Sequence, residues 1–286
     1  MANRYVILES RAIVRVAGDD ARSFLQGLVS QDIATVTPAH AAYGAFLTPQ
    51  GKYLHDFCLA ELDGAILLEC EAARSEDLAA RLARYRLRAA VNVAVDPDFI
   101  VAAIFGESPL AGTEDKPGAA RAFANGVLFA DPRHIGVGWR AILPRIDAIA
   151  ALETAGFVAG DPAEYEARRI ALTIPDGSRD LEIDRTILLE ANFDRLNGVS
   201  WDKGCYMGQE LTARTKYRGL IKKRLVTVSI DGSAPVSGTP IEQNGREVGV
   251  VRSSAGNQAI ALLRIEAIND ATGSELHAGD RVVSLS

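Results

Sequence analysis

The spacing of apolar and polar positions changes several times along the chain, and each change marks an element. Over residues 4–16, RYVILESRAIVRV, apolar and β-branched residues alternate with polar ones, which predicts two short strands with a break near Ser10. Gly18-Asp19-Asp20 punctuates the chain. A helix is predicted over 20–28, with an aspartate as N-cap and Phe24, Leu25 and Leu28 on one face. Segments 41–47 and 53–60 read as strands around Thr48-Pro49-Gln50-Gly51, where proline second and glycine last suit a type I hairpin turn. A third strand over 62–70 follows Asp63-Gly64. The clearest helix is 75–87, with Leu78, Leu82 and Tyr85 on one face and arginines on the other. Strands at 91–95 and 99–105, a Gly/Pro/Ala-rich loop over 106–125, and strands at 127–130 and 138–143 come next. A helix over 144–155 is stopped by Gly156, and another spans 162–171.

The stretch 175–208 has no regular period. A loop of that length in a compact protein is usually functional or packed on itself. From Arg224 the spacing turns to short strands with close turn signals (RLVTVSI, REVGVVRSS, QAIALLRI, GDRVVSLS), which predicts a small β-barrel. Hairpins mixed with single helices make the class α+β. Neither GxGxxG nor GxxxxGK[ST] occurs, so dinucleotide and P-loop readings have no support.

Composition narrows the function. The formal net charge of -6 speaks against broad binding to a nucleic acid backbone. No apolar run approaches the roughly 20 residues of a membrane helix, and the N-terminus MANRYVILES does not read as a signal peptide. Cys58, Cys70 and Cys205 have no paired spacing, so a reducing compartment is expected, read here as the cytoplasm. The four scattered histidines make a structural zinc site improbable, and no metal is expected.

Candidate chemistry gathers at residues 202–210, DKGCYMGQE. Gly204 and Gly208 allow close backbone approach or positive φ. Lys203 stands two residues before Cys205, and a nearby ammonium raises a thiol's thiolate fraction. Tyr206 offers a ring and a hydroxyl; Gln209 and Glu210 add polar groups. Against this, a lone cysteine is more often a small buried hydrophobe, the reading given to Cys58 and Cys70. Arg214, Lys216, Arg218, Lys222, Lys223 and Arg224 then reverse the local charge. They face an anionic ligand tail or acidic partner, or they are solvated strand-edge residues. Asn192 and Asp194 either bind a ligand or stabilise turns. Asp32 faces a central opening or caps a turn. Trp201 stacks on a ring or anchors the core, and Gly51-Lys52 form a hairpin corner from which Lys52 reaches toward the ligand or does not.

KGCYMGQE matches the K-G-C-[FY]-x-G-Q-E signature at every fixed position, and the chain resembles YgfZ-like folate-binding proteins of the glycine-cleavage T-protein (aminomethyltransferase) superfamily. VAGDDARSFLQGLVSQDI at 16–33, AAYGAFLTPQGKYLHDF at 41–57 and NFDRLNGVSWDKGCYMGQELTARTKYRG at 192–219 extend the likeness over most of the chain. The resemblance implies a three-part cloverleaf of ferredoxin-like α+β parts around a central folate cavity, with a small C-terminal β-barrel. On that scheme residues 1–50 with 160–215 form a discontinuous folate-binding domain, 51–159 a second α+β domain, and 216–286 the barrel. It implies a tetrahydrofolate-binding factor for assembly or repair of 4Fe–4S proteins, with assembly proteins or client enzymes as partners; charge and hydropathy add the expectation of no nucleic acid and no membrane. Cys205 and Lys203 would carry the chemistry. Gly204, Tyr206, Gly208, Gln209 and Glu210, with Asp32, Asn192 and Arg214, would contact tetrahydrofolate or a derivative. The alternative is a folate-dependent one-carbon transferase. Where the T-protein carries R-x-E-x-G, with its glutamate on the pterin, this chain reads Arg168-Arg169-Ile170-Ala171-Leu172, lacking the glutamate and the glycine.

Overall fold

The computed structural model describes residues 3–106, 116–270 and 273–285. The break at Ser10 does more than separate two strands: it sends them to different sheets. Arg4–Ile7 pairs with Phe99–Phe105, whereas Arg11–Ala17 lies between Ala65–Glu71 and Asn92–Asp96. The first sheet, in spatial order, is Ala42–Leu47, Tyr53–Leu62, Ala65–Glu71, Arg11–Ala17 and Asn92–Asp96, all antiparallel. The second runs Val158–Ala159, Arg4–Ile7, Phe99–Phe105, Trp139–Pro144, Gly126–Ala130 and Ala120–Phe123.

The central strands of each sheet are buried on both faces, which explains why several are apolar almost throughout. In the first sheet Val14, Phe57 and Leu68 pack beneath helices Ala21–Gln26 and Ser75–Ala83, with Leu25, Leu78 and Leu82. Ile13, Cys58 and Leu67 point the opposite way, into the molecular centre. In the second sheet Ile100, Ala102 and Leu143 pack on helix Ala148–Thr154, while Val101, Ala103, Phe129 and Ile142 face the centre. The irregular stretch fills the space between: Leu181, Leu188, Phe193, Leu196, Val199 and Tyr206 belong to the same central cluster.

The C-terminal strands Lys223–Ile230, Gln258–Arg264, Arg246–Ala255, Pro240–Gln243, Leu276–Ala278 and Arg281–Leu285 close into a six-stranded barrel. It docks through polar contacts: the Ser253 amide donates to Asp180 at 2.8 Å, and Arg224 pairs with Asp194 at 3.1 Å.

Several elements depart from the periodicity. The helix expected over 75–87 ends at Ala83, and Leu87 turns the chain at φ +44°. Pro144 ends a strand, so the next helix starts at Ala148. The expected loop over 106–125 contains the strand Ala120–Phe123; its residues 107–115 lie outside the described residues. Helix Gln209–Tyr217 does not show in the sequence, because QELTARTKY carries no apolar stripe and buries only Thr212 and Thr215. The first sheet runs through the boundary drawn at residue 50. Ala42–Leu47 and Tyr53–Leu62 are hydrogen-bonded neighbours joined by the turn at Thr48–Gly51, whose Gly51 amide donates to the Thr48 carbonyl at 2.8 Å.

Candidate functional site

The signature segment is laced to the stretch after the first helix. The Ser200 amide donates to the Ser30 carbonyl and the Met207 amide to the Gly27 carbonyl, both at 3.0 Å. Between them the Lys203 ammonium donates to the carbonyls of Gln26 (2.8 Å), Val29 (2.8 Å) and Gln31 (2.7 Å), and sits 5.2 Å from the centre of the Tyr206 ring. An ammonium has three donors, and these three acceptors use them all. Burial lowers the Lys203 pKa to about 8, against the opposing pull of Asp32. Burial likewise raises the Tyr206 hydroxyl to about 12.

Gly208 is left-handed at φ +80° and caps helix Gln209–Tyr217. A Cβ there would lie 2.6 Å from the Thr48 carbonyl oxygen and 2.9 Å from the Gly51 Cα, so the signature and the hairpin meet glycine to glycine. Gly204 differs: a Cβ built on it meets no atom within 4 Å. Beside it Cys205 is exposed, whereas Cys58 and Cys70 are buried and their thiols are pushed up by burial, Cys70 to about 12.

The remaining expected residues are spread over several elements, most of them with partners of their own. Gln209 accepts from the Tyr206 amide at 3.3 Å, and Glu210 pairs with Arg214 one turn on at 2.5 Å. Asp32 caps the turn over Ile33–Thr35 and accepts from the Gln26 amide group at 3.0 Å. Asn192, left-handed at φ +62°, donates to the Leu225 carbonyl and accepts from Arg224, both at 2.9 Å, so it clamps the barrel to the body. Lys52 donates to the Arg185 carbonyl at 3.1 Å. Trp201 lies under the Lys216 ammonium, 3.6 Å from the ring centre. Arg214, Lys216, Arg218 and Lys222 are exposed and Lys223 half-buried, while Arg224 is buried.

Reasoning from the sequence missed a buried ionic centre between the two sheets. Arg140 donates to Asp131 (2.9 Å) and to the Tyr165 hydroxyl (2.7 Å), and faces Glu69 as an ion pair at 2.9 Å without hydrogen-bond geometry. Arg133 grips Asp131 at 2.8 Å, and its guanidinium lies 5.5 Å from the centre of the Tyr43 ring. Arg11 pairs with Glu69 and reaches Asp176 at 3.6 Å. Asp56 accepts from Tyr53 (2.7 Å) and Tyr43 (3.0 Å). Burial raises the Asp56 carboxyl. Burial also presses Asp131 upward, but Arg133 and Arg140 overcome it and hold that carboxyl well below the usual range. A charged residue inside a buried apolar run, such as Glu69 in AILLEC, is the signal that marks such a centre.

Two cavities adjoin these regions, and neither is lined by residues 202–210. One of about 290 Å³ lies against Arg11, Arg133, Arg140, Tyr165 and Arg169. The other, about 470 Å³, lies between body and barrel against His134, Ala171, Thr173, Arg195, Leu196 and Thr227. Thr173 closes helix Pro162–Ala171 at φ +55°, a conformation that favours glycine. This moves the register of R-x-E-x-G one residue on from Arg168: read from Arg169, its glycine falls at Thr173 and its glutamate at Ala171, on the groove wall. Among the described residues, no carboxylate lines the groove. The glutamate that the resemblance to the T-protein implies for the pterin is thus absent from this groove.

The architecture is that of a T-protein-like α+β body with a closed barrel appended. The crystal structure of glycine cleavage system aminomethyltransferase T from Bartonella henselae matches with a TM-score of 0.79 over 99% of this chain and 85% of that one, at 17% identity. Residues 222–286 match the family model of the CAF17 C-terminal beta-barrel domain. The chain belongs to the family of IBA57 iron–sulfur cluster assembly factors. It is 37% identical to the human mitochondrial factor over 284 residues, covering 91% of this chain and 77% of that protein. The homologue of Pyricularia oryzae is 30% identical over 302 residues, with 94% and 73% covered. These relatives correct the expected cytoplasmic location: they are named as mitochondrial proteins. Three free cysteines call for a reducing compartment, and that requirement does not single out the cytoplasm.

Proposed function

We propose that this chain is an accessory factor for the assembly or repair of iron–sulfur proteins, 4Fe–4S enzymes in particular. On this reading it is YgfZ-like, binds tetrahydrofolate and works through Cys205. The observation that carries the proposal is an exposed thiol on an anchored loop, inside a complete KGCYMGQE signature, in a chain of the IBA57 family. One cysteine cannot complete a four-thiolate site, so iron or a cluster at Cys205 would be shared with a partner or a second copy. The cationic run that follows gives such a partner an electrostatic approach. Tetrahydrofolate, when bound, would supply reduced-pterin one-carbon chemistry. With Ala171 at the glutamate position, its ring must be held by other groups than in the T-protein.

The test is complementation in a strain lacking the factor. Cys205→Ala is expected to leave 4Fe–4S enzyme activity unrestored, and restoration to the parental level defeats the proposal. Calorimetric titration with tetrahydrofolate is expected to give a one-site curve; a flat trace removes folate from the reading. A folate-dependent one-carbon transferase is the second reading, favoured by the K-G-x-aromatic-x-G frame of residues 203–208. Turnover of an aminomethyl donor with tetrahydrofolate would establish it.

A further inference from the structure

Spacing alone makes the signature lysine a tuner of the thiol two residues away. Its surroundings assign it a different task. Each of its three N–H donors is taken by a main-chain carbonyl, from Gln26, Val29 and Gln31, and the side chain is buried while Cys205 is exposed. No donor is left for the sulfur. The three carbonyls come from one short stretch that leaves the first helix and turns toward the first sheet. They converge on a single point, as oxygen ligands do around a cation. A buried carbonyl without a partner is costly, and three aimed at one point would repel each other without a positive charge between them. The ammonium supplies it.

We infer that Lys203 is a positioning residue: its ammonium is the built-in cation of a three-carbonyl cradle, and by filling that cradle it fixes the backbone that presents Cys205, without bonding the thiol. The cradle stands between two other ties, Ser200 to Ser30 and Met207 to Gly27, so the loop is pinned at both ends and through its middle. Gly204 and Cys205 are then the part of the loop held clear of the body. The importance of that presentation rests on the function proposed for Cys205; the cradle itself does not.

The experiment uses the full chain and reads structure and thiol chemistry separately. In Lys203→Ala, amide hydrogen exchange at Met207 is expected to rise at least tenfold. Methylammonium, which can occupy the cradle, is expected to bring it back toward the parental rate. Tetramethylammonium at the same ionic strength, which has no N–H, is expected not to. Should Lys203→Ala fail to fold, Lys203→Met keeps the buried stem and removes only the cation, and the same exchange measurement applies. The pH midpoint of Cys205 alkylation by iodoacetamide is expected to stay within about 0.3 units of the parent in Lys203→Met, an allowance for the weak residual field of a charge that makes no contact with the sulfur. Unchanged exchange at Met207, equal rescue by both ammonium ions, or an alkylation midpoint raised by a full unit overturns the assignment. Complementation by Cys205→Ala at the parental level would instead defeat the proposed function and leave these measurements standing.

Discussion

The buried ionic centre and the thiol loop are both rich in polar groups, yet they are built on opposite terms. In the centre, Asp131, Glu69, Arg133 and Arg140 are sealed between two sheets, Arg140 paired with both carboxylates and Arg133 with Asp131. Isolated charges there would be costly, so each is retained only because its partner is in place. In the loop, the groups on either side of the thiol are engaged. Lys203 fills its cradle, Tyr206 packs in the core and Gly208 abuts Gly51, while Cys205 and Gly204 are left exposed. A polar group whose bonding is complete specifies structure. A group held rigidly with its bonding capacity unspent is available for chemistry.

That contrast is broken most severely at the centre. Arg140→Met is expected to cost about 3–5 kcal/mol, because Asp131, Glu69 and the Tyr165 hydroxyl each lose a buried partner. Urea unfolding measures it, and a loss under about 1 kcal/mol means the centre is not a sealed network. A smaller effect comes from His55, buried beneath helix Ser75–Ala83 and bonded to Asp77 at 3.0 Å. Burial and then Arg74 lower its pKa to about 4 from 6.5, against the pull of Asp77, with Arg81 also disfavouring the charge. The unfolded chain takes up the proton near 6.5 and the folded chain only near 4, so stability falls as pH drops through that window, by about 3 kcal/mol at most. His55→Gln should flatten this part of the stability–pH curve; an unaltered slope removes His55 as its source. Gly208→Ala comes next, at about 2 kcal/mol, from a left-handed backbone and a Cβ pressed on the Thr48 carbonyl. Its unfolding midpoint checks this, and a neutral result means the hairpin yields.

Much of the frame is legible because strand and helix periods survive wherever an element has one buried stripe. Helix Pro162–Ala171 and the hairpins around Gly51 and Gly64 have the expected composition. The helix Gln209–Tyr217 does not, since it buries two threonines and a residue period cannot reveal that. Nor can spacing reveal that Ser10 marks a change of sheet, because both flanking strands look alike locally. At the thiol loop the sequence identifies the residues and not their geometry. Lys203 stands near Cys205 in the chain, yet its bonds run to a segment more than 170 residues earlier. The ionic centre is illegible for the same reason: Glu69, Asp131 and Arg140 come from strands or loops of two sheets, and only the packing of one sheet on the other joins them.

The smallest expected effect on stability is the one that most sharpens the contrast. Cys205 is exposed, and a methyl added at Gly204 would have no neighbour within 4 Å, at a φ that needs no glycine. Cys205→Ser and Gly204→Ala should therefore each shift unfolding by less than about 0.5 kcal/mol, and the alanine should, if anything, stabilise by restricting the unfolded chain. In complementation of 4Fe–4S enzyme activity the two should depart from their silence in unfolding: Cys205→Ser should fail, and Gly204→Ala should fall several-fold if a partner or ligand closes over the thiol from that open side. A serine variant that is both stable and fully active leaves the loop as surface only. A serine variant that unfolds readily places the sulfur among the partnered groups, and the division between the sealed centre and the open loop is lost.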